Sequence, residues 1–530
     1  KQKIGNKADP VSAYLDAKGI VEVAVENGCD CLHPGYGFLS ESAEFAELCD
    51  TNGITFVGPP AQVMSLFGDK VQARAFASSL GIPIVAGTEG FIGSAAEAEK
   101  IGAQLGYPVM LKAAAGGGGR GMRVVNGPDQ ISEAFLRCSS EAQNAFGNAS
   151  VFMEKLIDRP KHIEVQILGD LTGHVIHLYD RDCSVQRNHQ KMVETAPALG
   201  IDISVRNRIF SDAVTLAKAA GYVNAGTVEF LAVPETGEYY FIECNPRIQV
   251  EHTITEQVTG IDLVETQFKI AAGATLENLG LGDQDSVAKP RGFAVQARVV
   301  GTNGGRIRAY KEPSGAGVRV DACGYVGYSA PSQFDPLLAK LICSASTYEG
   351  AVSRSIQALD EFLIDGPETN KRDLRAILSH QIFRNGDART SFLSSEIEVM
   401  GEQTRSGTTG ALDFLHEQAG RSGASNSRTE RTVTTPMPIL EVLPGQTGVE
   451  CPMDSAVVEV RAKEGDRVTV GDPILVVSAM KMETLVAATS PGVLTAMQPL
   501  EIGNTVAAGQ VVAVVTPSGV VQDPASTVKE

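Results

Sequence analysis

Two segments of the chain set a carboxylate among apolar residues, Thr227-Val228-Glu229-Phe230-Leu231 and Tyr240-Phe241-Ile242-Glu243-Cys244-Asn245. Both read as strands. A carboxylate held there without a partner is expensive, and two facing one another more so. A divalent cation resolves the conflict, because Mg²⁺ binds through one or two carboxylates together with phosphate oxygens. A loop suited to phosphate lies upstream, Lys112-Ala113-Ala114-Ala115-Gly116-Gly117-Gly118-Gly119-Arg120-Gly121-Met122. Residues without side chains let backbone N–H groups close around phosphate oxygens. No Lys-Ser or Lys-Thr pair follows the last glycine, so this is not a P-loop. The loop matches G-x-G-x-x-G at Gly116, Gly118 and Gly121, but it runs into the strand-like Met122 to Val125 where a dinucleotide fingerprint would open a helix.

A lysine near the other end of the chain suggests a second chemistry. Residues 438–516 carry many valines between glycines and almost no helical pattern, and they contain an internal repeat. The first half runs Pro452, Val457-Val458-Glu459-Val460, Gly465-Asp466-Arg467-Val468, Gly471, Ile474-Leu475-Val476-Val477. The second runs Pro491, Val493-Leu494, Gly503-Asn504-Thr505-Val506, Gly509, Val511-Val512-Ala513-Val514-Val515. Two four-strand halves packed face to face would make a flattened β-sandwich. Ser478-Ala479-Met480-Lys481-Met482-Glu483 lies between the halves, which puts Lys481 at an exposed hairpin tip within reach of a modifying enzyme.

The elements that must position these groups alternate at first. Gly19 to Asn27 and Glu41 to Asn52 read as helices, Cys29 to Leu32 and Ile54 to Val57 as short strands, the pattern of a parallel α/β layer. Residues 290–345 turn strand-rich, and Ala351 to Phe362 and Asn370 to His380 have helical amphipathicity. Residues 401–436 are rich in Ser, Thr, Gly, Gln and Arg, with one short candidate helix at Ala411 to Gln418, and read as a flexible linker. About 35 such residues span roughly 30–35 Å, enough for a carrier to visit two sites.

Composition narrows the partners. The 530 residues include 45 Lys plus Arg against 63 Asp plus Glu, a net charge of −18, which disfavours non-specific binding to nucleic acid or anionic membrane. No apolar run approaches the roughly 20 residues of a membrane helix, and Lys1 to Lys7 does not resemble a secretory signal. The nine cysteines are scattered without a CxxC pair, as in a reduced cytoplasmic protein; an organelle matrix fits equally.

Ala479-Met480-Lys481-Met482 in a two-fold-repeated β module resembles the biotinyl carrier domain of biotin-dependent carboxylases; lipoyl domains share the fold but place an acidic residue and Asp before the lysine. His33-Pro34-Gly35-Tyr36-Gly37-Phe38-Leu39-Ser40-Glu41, Gly68-Asp69-Lys70, the Gly-rich loop, Arg181 to Lys191 and Asn245-Pro246-Arg247-Ile248-Gln249-Val250-Glu251-His252 occur in order. Together they resemble the biotin carboxylase component, an ATP-grasp enzyme, over nearly all of residues 10–390. The resemblance implies an α/β and α+β multidomain chain. Its parts would be a partial biotin carboxylase N-terminal domain (1–68), an ATP-grasp domain (69–275), a β-rich biotin carboxylase C-terminal domain (276–400), the linker (401–436), the biotinyl domain (437–517) and a polar tail (518–530).

The same resemblance implies residue roles. Lys70, Lys112 and the loop glycines Gly117, Gly118 and Gly119 would meet ATP phosphates. Glu154, Lys155, Ile157 and Leu231 would border the adenine, and His162, Gln186 and His189 would line the nucleotide pocket. Glu229 and Glu243, with Asn245, would hold Mg²⁺ (or Mn²⁺). Lys191, Arg247, Gln249 and Val250 would bind bicarbonate, Glu251 would take its proton, and Arg319 would stabilise the biotin oxyanion. Biotin would be attached to Lys481 by a biotin protein ligase, and a carboxyltransferase subunit or domain and further copies of the chain would be partners.

Three features depart from the family pattern. The first strand–helix–strand stretch is absent, which would leave an open sheet edge; Asp454 follows Pro452-Met453 where Gly is usual; and Arg298 to Gly305 lacks a longer acidic loop. Pyruvate carboxylase and urea carboxylase place a large domain between carboxylase and carrier. The short linker instead resembles the α chain of an acetyl- or propionyl-CoA carboxylase, an enzyme of fatty acid synthesis. An ATP-grasp ligase joining a carboxylate to an amine, and a bare carrier module, are the competing readings. Co-expression with a biotin ligase is expected to add one biotin mass to the chain, and Lys481→Ala to abolish the increment; an unmodified wild-type chain would remove the carrier reading.

Overall fold

The computed structural model describes residues 11–396 and 440–517, apart from 89, 114–120, 147, 303–304, 331–333, 441, 444, 452–454, 480–481, 501–503 and 507–508. The chain divides into two compact units, Lys1–Gly407 and Thr408–Glu530. The linker with its candidate helix, the polar tail, the glycines 117–119, Asp454 and Lys481 lie outside the described residues.

The first unit opens with the parallel pair Cys31–Leu32 and Thr55–Phe56. Helices Ala17–Glu26 and Ala43–Thr51 bury Val21, Ala24, Phe45, Ala46 and Cys49 in the same small core as Phe56. The first helix starts two residues before the expected Gly19 because the Asp16 carboxylate accepts from the Gly19 N–H. The second starts two residues after the expected Glu41. Ser42 caps it, accepting from the Phe45 N–H, and Phe38–Glu41 forms a 3₁₀ turn ahead of it.

An eight-stranded antiparallel sheet follows, in the order Glu238–Asn245, Asn224–Val233, Lys161–Gly169, Val175–Arg187, Gln190–Ala196, Phe293–Val300, Leu337–Ala345, Val318–Ala322. It joins residues on both sides of the 275/276 division, through pairs such as Val193 with Ala297. Helix Ile203–Ala219 packs on one region of it with Ile209, Ala213 and Leu216. Helices Tyr348–Glu361 and Lys371–Ser379 cover another with Val352, Leu359, Leu374 and Ile377. Helix His252–Thr259 meets Ala196, Ala294 and Ile342 through Ile254 and Val258. A separate three-stranded antiparallel layer, Met122–Val125, Val109–Ala113 and Val151–Lys155, carries helices Ala95–Leu105 and Ile131–Phe146 over Val109, Leu111, Val125 and Met153.

The second unit is a sandwich of two four-stranded sheets around Val449, Val457, Leu475, Val477, Val486, Leu494, Val512 and Val515. The repeat does not form one sheet per half, as the sequence pattern suggests. One sheet orders Thr447–Glu450, Val511–Thr516, Gly492–Met497, Arg467–Val468; the other orders Met482–Ala487, Pro473–Ala479, Ser455–Val460, Thr505–Val506. Each sheet takes two strands from each half, so the halves interleave and share one core. Gly465, Gly471 and Gly509 turn at φ of +94°, +94° and +75°, where a Cβ is strained.

Backbone approaches tightly at Gly169, where an added Cβ would stand 2.1 Å from the Tyr222 carbonyl oxygen. Gly169→Ala is expected to lower the stability of the first unit by about 1–3 kcal/mol, read as an earlier denaturant midpoint for that unit's transition. An unchanged midpoint would mean that the strand end at Gly169 yields freely.

Candidate functional site

Sheet register builds the site. Glu243 lies opposite Glu229, Glu229 opposite Glu164, and Glu164 opposite Arg181. A register shift between Phe241 and Glu243 resets the pairing just before the first of these. Further along the same strand as Arg181, Gln186 lies opposite Lys191. Four neighbouring strands therefore supply three acids and an arginine side by side.

The Lys191 ammonium is the hub. Its Nζ donates to Glu164 Oε2 at 2.6 Å, Glu229 Oε1 at 3.0 Å and Glu251 Oε1 at 2.7 Å. Burial pulls the lysine pKa down, but Glu164, Glu229 and Glu251 outweigh it and hold the value well above the usual range. Burial likewise raises Glu251, and Lys191, Arg298 and Arg181 more than reverse it, leaving this carboxylate ionised. Arg298 reaches in from strand Phe293–Val300, donating to Glu251 Oε2 at 2.9 Å and Glu194 Oε1 at 2.5 Å. Arg181, wholly buried, spends its fork on Glu164, Gln166 Oε1 (2.7 Å), Thr255 Oγ1 (3.0 Å), Thr227 Oγ1 (3.1 Å) and Gln249 Oε1 (3.0 Å).

Around Glu229 stand His162 Nε2 at 2.6 Å, Asn245 Nδ2 at 3.0 Å and Gln249 Nε2 at 2.8 Å. Gln186 Nε2 lies 2.6 Å from His162 Nδ1. Glu243 pairs with Lys70 at 3.0 Å. Burial raises both acids, while Lys191 and His162 for Glu229, and Lys70 for Glu243, pull each below the usual carboxylate range. Two opposed, ionised carboxylates that draw lysines onto themselves make a hard oxygen donor pair, and Mg²⁺ or Mn²⁺ suits it. Asn245 reaches Glu229 through its nitrogen, while its Oδ1 accepts from Arg247 at 3.1 Å. The donor atoms of His162, Glu164 and Glu229 also lie within 4.8 Å of one another.

The remaining expected residues are spread over several elements. Glu154, on strand Val151–Lys155, ion-pairs with Arg74 and Lys112, and Lys155 Nζ donates to the Gly106 carbonyl at 2.7 Å. Both side chains are thus engaged with protein groups. Ile157 is half-buried just beyond that strand, and Leu231 is the register partner of His162. Asn188 and His189, at φ of +51° and +63°, form the two-residue turn between Val175–Arg187 and Gln190–Ala196, with His189 exposed. Arg247 ion-pairs with Glu41 at 2.8 Å. Arg319 lies apart from Lys191, bound to Asp321 and Glu256. Lys112 and Ala113 flank the Gly-rich loop, Lys112 pairing with Met122 and Ala113 N–H donating to Gly121. In the second unit Ala479 pairs with Met482, bracketing residues 480 and 481.

Glu164, Arg181, Arg298, Glu194 and Arg74 have no site role in the sequence analysis, although Arg181 and Arg298 stand in segments named there. Glu164 could have been singled out, because His162, Glu164 and Gln166 repeat at period two on one strand. The reach of Arg298 to Glu251 follows from a strand pairing that no local pattern encodes.

Lys191→Met would leave three carboxylates around an apolar side chain, a loss of about 3–5 kcal/mol by the cost of breaking a buried pair. Because the folded pKa values of Glu229 and Glu251 are depressed, the stability they contribute is present above the unfolded value of about 4.3 and lost as pH falls. The variant is expected to show a lower unfolding temperature at neutral pH and a smaller further loss on acidification, because carboxylates no longer held below the usual range have less stability to lose as pH falls. An unchanged unfolding temperature and an unchanged loss between neutral and acid pH would remove Lys191 from this role.

Comparison with known proteins fits this geometry. Residues 2–64 match the description "Biotin carboxylase, N-terminal domain", 69–279 "Carbamoyl-phosphate synthase L chain, ATP binding domain", 296–395 "Biotin carboxylase C-terminal domain" and 447–515 "Biotin-requiring enzyme". Pyruvate carboxylase of Aspergillus niger is 49% identical over 408 residues, covering 75% of this chain and 34% of its own. That of Bacillus subtilis is 44% identical over 407 residues, covering 75% and 35%. The chain thus spans about a third of these relatives' length. Among solved structures, the biotin carboxylase domain dimer of Hydrogenobacter thermophilus 2-oxoglutarate carboxylase, in complex with MgADP, ADP and bicarbonate, superposes with a TM-score of 0.72 at 41% identity, covering 74% of this chain and 88% of its own. Campylobacter jejuni biotin carboxylase gives 0.71 at 39%, with the same coverage. The match to 88% of the Hydrogenobacter domain at 41% identity, with the carboxylase and biotinyl regions matched in order along the sequence, shows the family: the chain belongs to the biotin-dependent carboxylases, with a biotin carboxylase region followed by a biotinyl domain.

Proposed function

We propose that the first unit carboxylates biotin borne on Lys481, using ATP and bicarbonate, and that the carrier then delivers the carboxyl group to an acceptor at a carboxyltransferase. The observation that carries the residue assignment is the Lys191 ammonium held between Glu251 and Glu229, beside the guanidinium groups of Arg181 and Arg298. That cluster suits a small anion next to an ionised base. In this reading Glu251 takes the bicarbonate proton, while Lys191, Arg247, Gln249 and Val250 hold the anion. The bicarbonate oxygen then attacks the γ-phosphorus of ATP as the bond to ADP breaks, and Lys70 and Lys112 offset phosphate charge. Mg²⁺ held by Glu229 and Glu243, with Asn245 beside them, would supply charge neutralisation at the phosphates. Because the Glu154 and Lys155 side chains are engaged elsewhere, that strand would meet adenine through its backbone, alongside Ile157 and Leu231. His162, Gln186 and His189 line the nucleotide pocket, and Gly117, Gly118 and Gly119 close over phosphate. Arg319 faces the biotin oxygen.

For the acceptor we favour an acyl-CoA, acetyl- or propionyl-CoA, because only residues 396–446 separate the matched carboxylase and carrier regions. Pyruvate is the second reading, favoured by the curated relatives. A carboxyltransferase, a biotin protein ligase and a second copy of the chain are the proposed partners, the last supported by the dimeric Hydrogenobacter domain. No helix among the described residues is long and apolar enough to cross a membrane. A cytoplasmic location is the working assignment, and the mitochondrial pyruvate carboxylase of mouse supports an organelle matrix as the alternative.

The test is bicarbonate-dependent ATP hydrolysis by the full chain, stimulated by free biotin. Glu251→Gln is expected to stay folded and lose about 10²–10⁴-fold of that activity, the usual worth of a positioned base; near-normal turnover would dismiss Glu251 as the base. Chain labelled from radioactive bicarbonate, then mixed with acyl-CoA or pyruvate carboxyltransferases, assigns the acceptor by which one discharges the label.

A further inference from the structure

Lys340 is a buried cation that the reaction as described does not use. It sits on strand Leu337–Ala345 with its side chain 9% exposed. Its Nζ donates to the backbone carbonyl of Val250 at 3.2 Å and lies 3.2 Å from Asp321 Oδ2. Asp321 is its register partner on the neighbouring strand and holds Arg319 by both oxygens, at 2.8 and 3.0 Å. The other guanidinium nitrogen of Arg319 donates at 2.7 Å to Glu256, on the helix that begins directly after Glu251. These contacts close a ring: Val250 carbonyl, Lys340, Asp321, Arg319, Glu256, and back along the helix to residue 251. Two cations and two anions balance within it, and three chain segments far apart in sequence are fixed relative to one another.

We propose that Lys340 is a positioning residue that registers Arg319 against the Val250–Glu251 segment, so that biotin and the activated carboxyl group meet. This rests on the reading that Arg319 faces biotin and Glu251 faces bicarbonate. Lys340 itself touches neither ligand. Its backbone partner matters because a carbonyl cannot be exchanged by side-chain motion: tethering it fixes the main chain immediately before the base. A displacement of about 1 Å between reacting groups costs on the order of 10²-fold. The Glu251 carboxylate keeps its own ties to Lys191 and Arg298, so ATP cleavage is largely spared and the step that suffers is the meeting of the two reactants, which needs Arg319 in register. If biotin is misplaced, water takes the activated carboxyl group's phosphate bond instead, and the net reaction is ATP plus water giving ADP plus phosphate, with bicarbonate regenerated.

The experiment measures two rates on the full chain with free biotin as the probe: bicarbonate-dependent phosphate release, and carboxyl transfer from labelled bicarbonate to biotin. In Lys340→Met, transfer per phosphate released is expected to fall tenfold or more while phosphate release without biotin stays within about threefold of wild type. Lys340→Arg, which keeps the charge and can still donate, is expected to recover most of the ratio, and it replaces the methionine variant if that one does not fold. Equal losses in both rates, or an unchanged ratio in whichever variant folds, would overturn the proposal. Arg319→Met separates the two levels: if it leaves the ratio intact, the reading of Arg319 fails; if it uncouples and the Lys340 variants do not, only the present inference fails.

Discussion

One ammonium group among three carboxylates is the constraint around which the first unit is arranged. Lys191, with Glu164, Glu229 and Glu251 each within 3.0 Å, is stable only while every member keeps its charge and its place. The strands that carry these residues, Gln190–Ala196, Lys161–Gly169 and Asn224–Val233, are therefore tied in register by more than their backbone ladder. The fourth member, Glu251, comes from the start of a helix, and Arg181 secures that helix through Thr255 and the preceding loop through Gln249. Arg298 then carries the tie across to strand Phe293–Val300. Burial on this scale makes each ion costly alone and each pair hard to replace singly.

The same ties explain why one sheet runs through regions that the chain order keeps apart. Pairing of Gln190–Ala196 with Phe293–Val300 lets Arg298 stand beside Glu251 and Gln296 beside Glu194, with Nε2 donating at 3.1 Å. Helix His252–Thr259, packed on both strands, fixes the end from which Glu251 projects. The smaller three-stranded layer contributes Lys112, and Arg74 and Glu154 join it to helix Lys70–Ser79, which presents Lys70 to Glu243.

Much of this was readable from the residues. Glu229 and Glu243, picked out as acids in apolar strands, do face one another, because both strands are antiparallel neighbours with complementary runs of large apolar residues. The Gly-rich loop does join two strands. Helix starts were missed by two residues where a side-chain cap, Asp16 or Ser42, outweighed the periodicity. Arg298, Glu194 and Lys340 stayed hidden for a different reason. Their partners lie between about 50 and 100 residues away in sequence, and long-range pairing of this kind follows from sheet order, which local patterns do not specify. The repeat in residues 447–516 was visible, but its interleaving was not, since identical patterns serve either arrangement.

Exchanging Thr447–Glu450 with Met482–Ala487, Ser455–Val460 with Gly492–Met497, Arg467–Val468 with Thr505–Val506, and Pro473–Ala479 with Val511–Thr516 turns the strand order of one sheet of the second unit into that of the other. A single half on its own would present gaps in both sheets where its twin belongs, and another copy of the same half would fill them all. The link from Ala479 to Met482, which joins the halves, thus does within one chain what strand exchange would do between two.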